Sequence, residues 1–136
     1  MKSVKVADYM ARRLITVAPH TNVVAAMGLM LEHKISGMPV VSDNGELVGM
    51  LSEVDAMKVV VQDSYYDESA GVVADYMHAP VETVSPDTDI YSLAETFVNN
   101  HRRRYPVVTA AGALIGQISR RDVLRVAHSS LMHAVE

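Results

Sequence analysis

The chain repeats itself at an interval of 67 residues, and this repeat constrains its fold more than any other feature of the sequence. When residues 6–58 are aligned with residues 73–125, 17 of the 53 positions are identical and no gap is needed. A register held over that length indicates an internal duplication. Two copies are too few for a solenoid, which stacks several units in a row. We therefore expect two similar halves packed face to face.

The repeat divides the chain into a first copy at residues 1–62, a linker at residues 63–72 and a second copy at residues 73–136. The linker is acidic and polar, whereas 49% of the whole chain is apolar. A chain of this size can bury one substantial core or two small ones. We expect the two copies to form one compact module.

Within each copy, the pattern of apolar residues predicts the order strand, helix, strand, strand, helix. In copy one, a short entry helix at residues 4–12 precedes a β-branched strand at residues 14–17, which Pro19 stops. Thr21 can cap the next helix, which we expect to run to about His33. A stripe of apolar residues on this helix and on its counterpart predicts a core contact. The stripes consist of Val23, Met27, Met30 and Leu31, and of Ile90, Ala94, Phe97 and Val98.

Glycines mark the turns and the strand ends of both copies. Two apolar runs on either side of Asn44-Gly45 predict a β-hairpin, because both residues tolerate a positive φ angle. Copy two keeps the glycine of this turn as Gly112. Further along, Gly49 and Gly116 lack a side chain and would let the backbone approach a ligand closely.

Ser52 and Asp55 in copy one, like Ser119 and Asp122 in copy two, lie where a strand leads into a helix. Free N–H groups and the positive end of the helix dipole favour an anion at such a point. The serine can donate to a phosphate oxygen, and the aspartate, on the same helix face, can accept hydrogen bonds from a ribose diol. The same spacing is also that of a capping box that closes a helix start. The two roles are compatible.

A basic run at residues 101–104 precedes the hairpin of copy two, whereas the matching stretch of copy one carries only Lys34. Arg103 and Arg104 are candidates for phosphate contacts, because a guanidinium group offers a planar fork of donors. A solvated loop or a salt-bridged interface is the alternative. Nucleic acid and anionic membranes are disfavoured as partners, because the run is isolated in a chain of net charge −4.

The order of elements, its duplication and the sequence Gly-hydrophobic-x-Ser-x-x-Asp in each copy resemble a pair of CBS domains, the Bateman module, over about residues 4–127. The resemblance implies an α/β fold of two pseudo-twofold β-α-β-β-α repeats, each with a short mixed sheet and helices on one face. It also implies a cleft with two quasi-equivalent sites for adenosine derivatives such as AMP, ADP, ATP or S-adenosylmethionine. The nucleotide would be a regulatory ligand, with no catalytic cofactor.

By this resemblance, each site combines residues of both copies. Ser52 and Asp55 would act with residues 78–83 and 103–105, and Ser119 and Asp122 with residues 12–16 and 36–38. Two arginines within the second Ser-x-x-Asp sequence would add positive charge. The complete set of residues predicted to bind the nucleotide is Leu14, Thr16, Ser36, Gly37, Met38, Ser52, Asp55, Val81, Thr83, Arg103, Arg104, Tyr105, Ser119, Arg120, Arg121 and Asp122.

Two classes of function remain after the sequence has been considered. The first is a regulatory module that senses AMP, ADP or ATP, or another adenosyl ligand such as S-adenosylmethionine or NAD. The second is a protein-interaction or dimerisation module that uses the cleft little or not at all. Apolar helix surface predicts a homodimer, and a regulated partner protein is a further candidate.

Enzymes, metalloproteins and membrane proteins are the classes that the sequence disfavours. The chain has no cysteine, its six histidines lack the spacing of metal ligands, and neither a catalytic triad nor a P-loop is found. We therefore expect no metal and no enzymatic activity. No apolar run is long enough to span a membrane and no signal peptide is recognised, which predicts a cytoplasmic protein.

Overall fold

The structure is a computed structural model of the chain, and it describes residues 3–62 and 70–135. Residues 63–69, which hold most of the predicted linker, lie outside the described residues. The predicted α/β fold of two tandem repeats is confirmed, with the order helix, strand, strand, helix in each copy. Copy one contains a 3-10 helix (Val6–Asp8), α1 (Val23–His33), β1 (Gly37–Val41), β2 (Leu47–Ser52) and α2 (Glu53–Val61). Copy two contains a 3-10 helix (Val73–Asp75), α3 (Ile90–Asn99), β3 (Arg104–Val108), β4 (Leu114–Ser119) and α4 (Arg120–Val135).

The chain divides into two compact units, and neither unit consists of one sequence copy alone. The copy-one unit runs from Ile15 to Val81, and the copy-two unit combines Met1–Leu14 with Glu82–Glu136. Each unit therefore includes the entry segment of the other copy. These limits differ from the repeat boundaries at residues 62 and 73, because each entry segment makes its contacts with the other copy.

Matching backbone hydrogen bonds hold the two entry segments in their units. In the copy-two unit, the N–H of Val6 donates to the carbonyl oxygen of Thr88 at 2.9 Å, and in the copy-one unit the N–H of Val73 donates to that of Thr21 at 2.8 Å. Val6 and Val73 are both fully buried. Burial of a valine side chain contributes about 1.5–3 kcal/mol, so the exchange of entry segments is stabilised by apolar packing in both units.

Each unit contains one antiparallel hairpin in the same register. In β1 and β2, Gly37 lies opposite Ser52, and in β3 and β4, Arg104 lies opposite Ser119. The turn glycines Gly45 and Gly112 have φ angles of 83° and 88°. Positive φ angles are what glycine accepts without steric cost, so the predicted hairpins are confirmed in both copies.

The predicted first strand at residues 14–17 does not form as a regular strand. Only Val17 makes a bridge, parallel to Val40, and Val84 makes the matching bridge to Val107. The chain leaves one unit at Leu14 and enters the other at Ile15. Because the segment changes unit there, only its end can pair with the hairpin, and the predicted strand was wrong.

Two details of the predicted helices also differ. The cap of α1 is Asn22 and not Thr21, because Asn22 Oδ1 accepts hydrogen bonds from two N–H groups of the first turn at 2.8 and 3.2 Å. The predicted apolar stripe is only partly in the core: Val23 and Met30 are buried, but Leu31 is exposed. Ala26 takes the remaining buried position, since it lies one turn from both buried residues.

Candidate functional site

The candidate site begins at the first turns of α2 and α4, where both copies form a reciprocal capping box. Ser52 Oγ accepts from the N–H of Asp55 at 3.1 Å, and Asp55 Oδ2 accepts from the N–H of Ser52 at 2.9 Å. Ser119 and Asp122 make the same two bonds at 2.9 and 3.1 Å. The capping role that the Ser-x-x-Asp spacing allows is therefore confirmed, and one oxygen of each carboxylate is engaged by it.

The carboxylate of Asp55 has two further partners. His78 Nδ1 lies 2.8 Å from Oδ2, and Lys58 Nζ lies 3.4 Å from Oδ1. The Asp55 side chain is 8% exposed, whereas those of His78 and Lys58 are 50% and 51% exposed. Burial raises the pKa of Asp55, but the hydrogen bonds from the Ser52 backbone and from His78 outweigh it, so the pKa of this carboxyl lies below its ordinary value. Asp55 is thus held as an anion.

The carboxylate of Asp122 is less enclosed, with a side chain that is 18% exposed. Arg125 Nη1 lies 3.0 Å from Oδ1, in the position that Lys58 takes in copy one. Ala11 stands where the repeat places His78 in the other unit. Its backbone exchanges hydrogen bonds with Gln117 at 2.8 and 2.9 Å, as that of His78 does with Met50 at 3.0 and 3.0 Å. The two surroundings differ in side chains, not in backbone pairing.

Gly49 and Gly116 give space to the protein's own entry segments. A Cβ atom on Gly49 would lie 2.6 Å from Met77 Sδ and 3.1 Å from the carbonyl oxygen of His78. A Cβ atom on Gly116 would lie 2.5 Å from the sulfur of the matching methionine and 2.9 Å from the carbonyl oxygen of Ala11. Both glycines thus pack closely against a methionine side chain and a backbone carbonyl oxygen, and the predicted approach of their backbone to a ligand stays a prediction.

Four arginines come together in the copy-two unit. The N–H of Arg120 donates to the carbonyl oxygen of Arg103 at 3.0 Å, and Arg104 pairs with Ser119, two residues before Arg121. Within residues 3–62 and 70–135, none of the four guanidinium groups has an ion-pair partner. The matching positions of copy one are Ser36, Gly37, Glu53 and Val54. The start of α4 is therefore strongly cationic, and the start of α2 is not.

The other predicted site residues lie in different surroundings. Tyr105 and Met38 are buried in the cores of their units, and the Tyr105 hydroxyl accepts a hydrogen bond from Asn100 at 3.3 Å. The two threonines are exposed, and the remaining four positions are partly buried. These six residues are Thr16, Thr83, Leu14, Val81, Ser36 and Gly37.

The hairpins bring residues 36–38 beside Ser52, and residues 103–105 beside Ser119, in separate units. The predicted combination of Ser52 and Asp55 with the arginine loop, and of Ser119 and Asp122 with residues 36–38, stays a prediction. The contact of Asp55 with His78 joins the first of these motifs to the predicted stretch 78–83.

Three side chains that contact the two carboxylates are not among the individually predicted site residues, although the predicted stretch 78–83 includes His78. Lys58 and Arg125 could have been found, because each follows its aspartate by three residues on a helix. His78 is separated from Asp55 by 23 residues. Besides the resemblance that placed residues 78–83 in the site, the signal for it in the repeat was that His78 lies opposite Ala11 directly after five identical residues.

Apolar residues are exposed at matching positions of both copies. Leu31 and Val98 are 78% and 79% exposed, and Met57 and Leu124 are exposed as well. In copy one, Leu31 and Met57 border an apolar groove between α1 and α2 that also includes Met27.

Among the described residues, no group of three or more histidine or acidic side chains could hold a metal ion. In the same part of the chain, no helix has the length and apolar character needed to cross a bilayer.

Comparison with known proteins links these features to one family. The CBS domain model matches the chain twice, at residues 6–62 and 73–129. An uncharacterized protein of Methanopyrus kandleri is 34% identical over 127 residues, which are 93% of this chain and 64% of that protein. The chloroplastic CBS domain-containing protein CBSX2 of Arabidopsis thaliana is 32% identical over 149 residues, covering 90% of this chain and 63% of CBSX2. The chain thus spans slightly less than two thirds of these relatives.

A solved structure provides a direct structural comparison. The crystal structure of CBSX2 in complex with AMP has a TM-score of 0.81 to this chain at 34% sequence identity. The superposition covers 93% of this chain and 98% of that one. The likeness therefore extends over both copies.

Proposed function

Because the chain belongs to the CBS domain family, we propose that it is a regulatory module that binds an adenine nucleotide. The AMP complex of CBSX2, a protein similar over nearly the whole chain, supports an adenosine ligand. The observation in this chain that carries the proposal is the duplicated helix start. Each start holds an aspartate beside a serine, and the start of α4 adds arginines without acidic partners among the described residues.

The proposed contacts follow from the chemistry of the two groups. A carboxylate accepts hydrogen bonds only, so Asp55 and Asp122 are suited to the hydroxyl donors of a ribose. Guanidinium groups form charge-assisted, bidentate bonds with phosphate oxygens. Arg103 and Arg104, with Arg120 and Arg121 of α4, would therefore bind phosphates. We expect nucleotides with more phosphates to bind more tightly.

Calorimetry on the full chain tests this proposal with adenosine, AMP, ADP and ATP, and with S-adenosylmethionine and NAD as alternative adenosyl ligands. We expect Arg104→Ala to weaken ATP more than AMP, and the loss to shrink as salt rises, because salt screens exposed charges. Arg102→Ala is the matched control, since Arg102 is already paired with Glu82 at 2.7 Å. It should change binding little. If adenosine binds as tightly as its phosphates, the assignment of the arginines is wrong.

A second candidate function, dimerisation, is favoured by the exposed apolar residues. Leu31 and Val98 occupy matching positions and are both largely solvent-exposed. Exposed apolar patches of this kind usually mark an interface. We propose a homodimer, which sedimentation should detect at tens of micromolar and which Leu31→Lys with Val98→Lys should dissociate. If no nucleotide binds at millimolar concentration and the dimer persists, the interaction module is the better description.

The remaining parts of the proposal concern the role of the protein in the cell. The nucleotide is a regulatory ligand and not a cofactor, and the module carries out no catalysis. A partner protein would receive the signal in the cytoplasm. A ligand changes the state of such a module only by binding one arrangement more tightly than another, so the partner should alter the measured nucleotide affinity.

A further inference from the structure

His78 begins the stretch 78–83 that was predicted to act with Asp55, and it contacts the central carboxylate of copy one directly. Its Nδ1 atom lies 2.8 Å from Asp55 Oδ2. A contact this short between a ring nitrogen and a carboxylate oxygen needs a proton on the nitrogen, since otherwise two lone pairs would face each other. The proton is present on an imidazolium ion or on the tautomer that carries hydrogen at Nδ1.

The hydrogen bonds of Asp55 leave little capacity for a ligand. Oδ2 accepts from the N–H of Ser52 and from His78, which occupies both of its lone pairs. Oδ1 faces Lys58 at 3.4 Å. A diol that places one hydroxyl on each oxygen can therefore reach Oδ1, but it must displace His78 from Oδ2.

Asp122 has no such competitor in the described part of the chain. Its Oδ2 accepts from the N–H of Ser119, and its Oδ1 from Arg125. Ala11, at the position that matches His78, carries only a methyl group. Each oxygen of Asp122 therefore keeps one lone pair for a diol.

The charged groups around the His78 contact are few. In the described chain, α2 contributes Asp55 and Lys58. Strand β2 contributes Met50, which pairs with His78 through the backbone, and the entry segment contributes Met77. Neither methionine titrates. Of the side-chain types in this cluster, only histidine ordinarily changes its charge near neutral pH.

We propose that His78 is a specificity-determining residue that withholds Asp55 from a ribose diol while it carries a proton on Nδ1. An imidazolium ion donates to a carboxylate more strongly than a neutral ring does. Asp122 is therefore the freer acceptor for a ribose diol, and the competition at Asp55 is strongest when the His78 ring is charged, because a neutral ring with hydrogen at Nδ1 still donates to Asp55 but more weakly. The part concerning the diol rests on the proposed function, whereas the proton-dependent contact does not.

The binding test uses AMP and calorimetry on full chains that carry Asp122→Asn, so that copy one is observed alone. We expect His78→Ala to raise AMP affinity at about pH 5.5 by about three- to tenfold, the effect of one net hydrogen bond. The difference between about pH 5.5 and about pH 8 should disappear in that variant. His78→Asn retains a donor that does not titrate, so it should keep affinity low at both pH values. Equal affinities for the His78→Ala and parent chains at both pH values would overturn the inference.

A mirror variant tests the same idea in copy two. Ala11→His, combined with Asp55→Asn, should give Asp122 the competitor that it lacks. We expect AMP affinity in this variant to fall at about pH 5.5 and to recover towards about pH 8. Unchanged affinity with an unchanged circular dichroism spectrum would contradict the inference.

Urea unfolding without ligand separates the two proposals. The stability advantage of the parent chain over His78→Asn should be greater at about pH 5.5 than at about pH 8. The pH dependence of that advantage should vanish when the parent chain and the His78→Asn chain both also carry Asp55→Asn. If AMP binds to no variant while this difference appears, the proposed function fails and with it the specificity role, but the proton-dependent contact stands. If AMP binds and the unfolding difference is absent, the inference fails and the proposed function stands.

Discussion

The starts of α2 and α4 have the same backbone hydrogen bonds and opposite charge. Both capping boxes have bonds of 2.9 and 3.1 Å, and both hairpins pair in the same register. Around α4 four arginines lack ion-pair partners among the described residues, whereas the matching positions of α2 include Glu53 and no cation. The scaffold of a duplicated module therefore depends on a few caps and turns. The side chains beside those caps are free to diverge in function.

The cores of the two copies show the same separation of backbone and side chain. Met30 and Met38 in copy one correspond to Phe97 and Tyr105 in copy two, and the two rings have their centroids 5.0 Å apart. Methionine is flexible and fills irregular gaps, whereas aromatic rings need a defined geometry. Each core contains a hairpin of the same register, so we expect the two cores to differ in how rigidly they are packed.

The largest expected effect comes from emptying these cores. Tyr105→Ala should lower the free energy of unfolding by about 3–5 kcal/mol, the usual cost of removing a large aromatic side chain. Met38→Ala should cost about 2–5 kcal/mol and less than Tyr105→Ala. Urea unfolding measures both, and Val98→Ala on the exposed surface is the control. An equal loss in the two copies would contradict the difference in packing.

The next effect concerns the glycines against which the entry segments pack. Gly116→Ala and Gly49→Ala should each destabilise by about 1–3 kcal/mol through overpacking. The loss should be greater at Gly116, because its new Cβ would meet a carbonyl oxygen at 2.9 Å instead of 3.1 Å. Gly28→Ala is the control, since the space around Gly28 in α1 is open and alanine favours a helix. If Gly28→Ala destabilises the protein as much as the other two substitutions, the close approach of the entry segments is not the cause of their loss of stability.

Acid should distinguish Asp55 by its direction of effect. Its pKa lies below the ordinary value, because the hydrogen bonds from Ser52 and His78 outweigh burial, which raises the pKa of Asp55. The folded state therefore gains stability above the ordinary carboxyl pKa of about 4 and loses it as the pH falls through the lowered value. Urea unfolding at a series of pH values should show a shallower acid loss in Asp55→Asn. His78→Ala, which removes the hydrogen bond from the ring, should lie between. Parallel profiles for all three chains would refute this account.

The smallest effect is expected from the exposed cations that contact the two aspartates. Lys58→Ala and Arg125→Ala should each change stability by about 0.2–0.5 kcal/mol, as is usual for ion pairs three residues apart on a helix surface. The Arg125 pair is shorter, at 3.0 Å against 3.4 Å, so it should contribute slightly more. Both losses should fade at high salt. A loss that high salt leaves unchanged would assign these side chains a packing role.

Local chemistry explains why several features could be predicted. The positive φ angle at Gly45 and Gly112 and the two capping boxes depend on residues close in sequence. For such features the residue types themselves carry the energetic preference. The prediction failed where neighbours compete, as at Thr21 and Asn22, because either side chain can cap a helix. It failed again at Leu31, because an apolar stripe on a helix does not show how much of that stripe is buried.

The sequence by itself determined the duplication, its 67-residue register and the positions of the two hairpin turns and the two capping boxes. Only the tertiary structure decided that each entry segment joins the unit of the other copy and that His78 meets Asp55. The physical reason is that such contacts depend on where buried backbone and apolar surface find partners far along the chain. No periodicity in the sequence encodes that choice, and the alignment of Ala11 with His78 becomes meaningful only once Asp55 lies next to the ring.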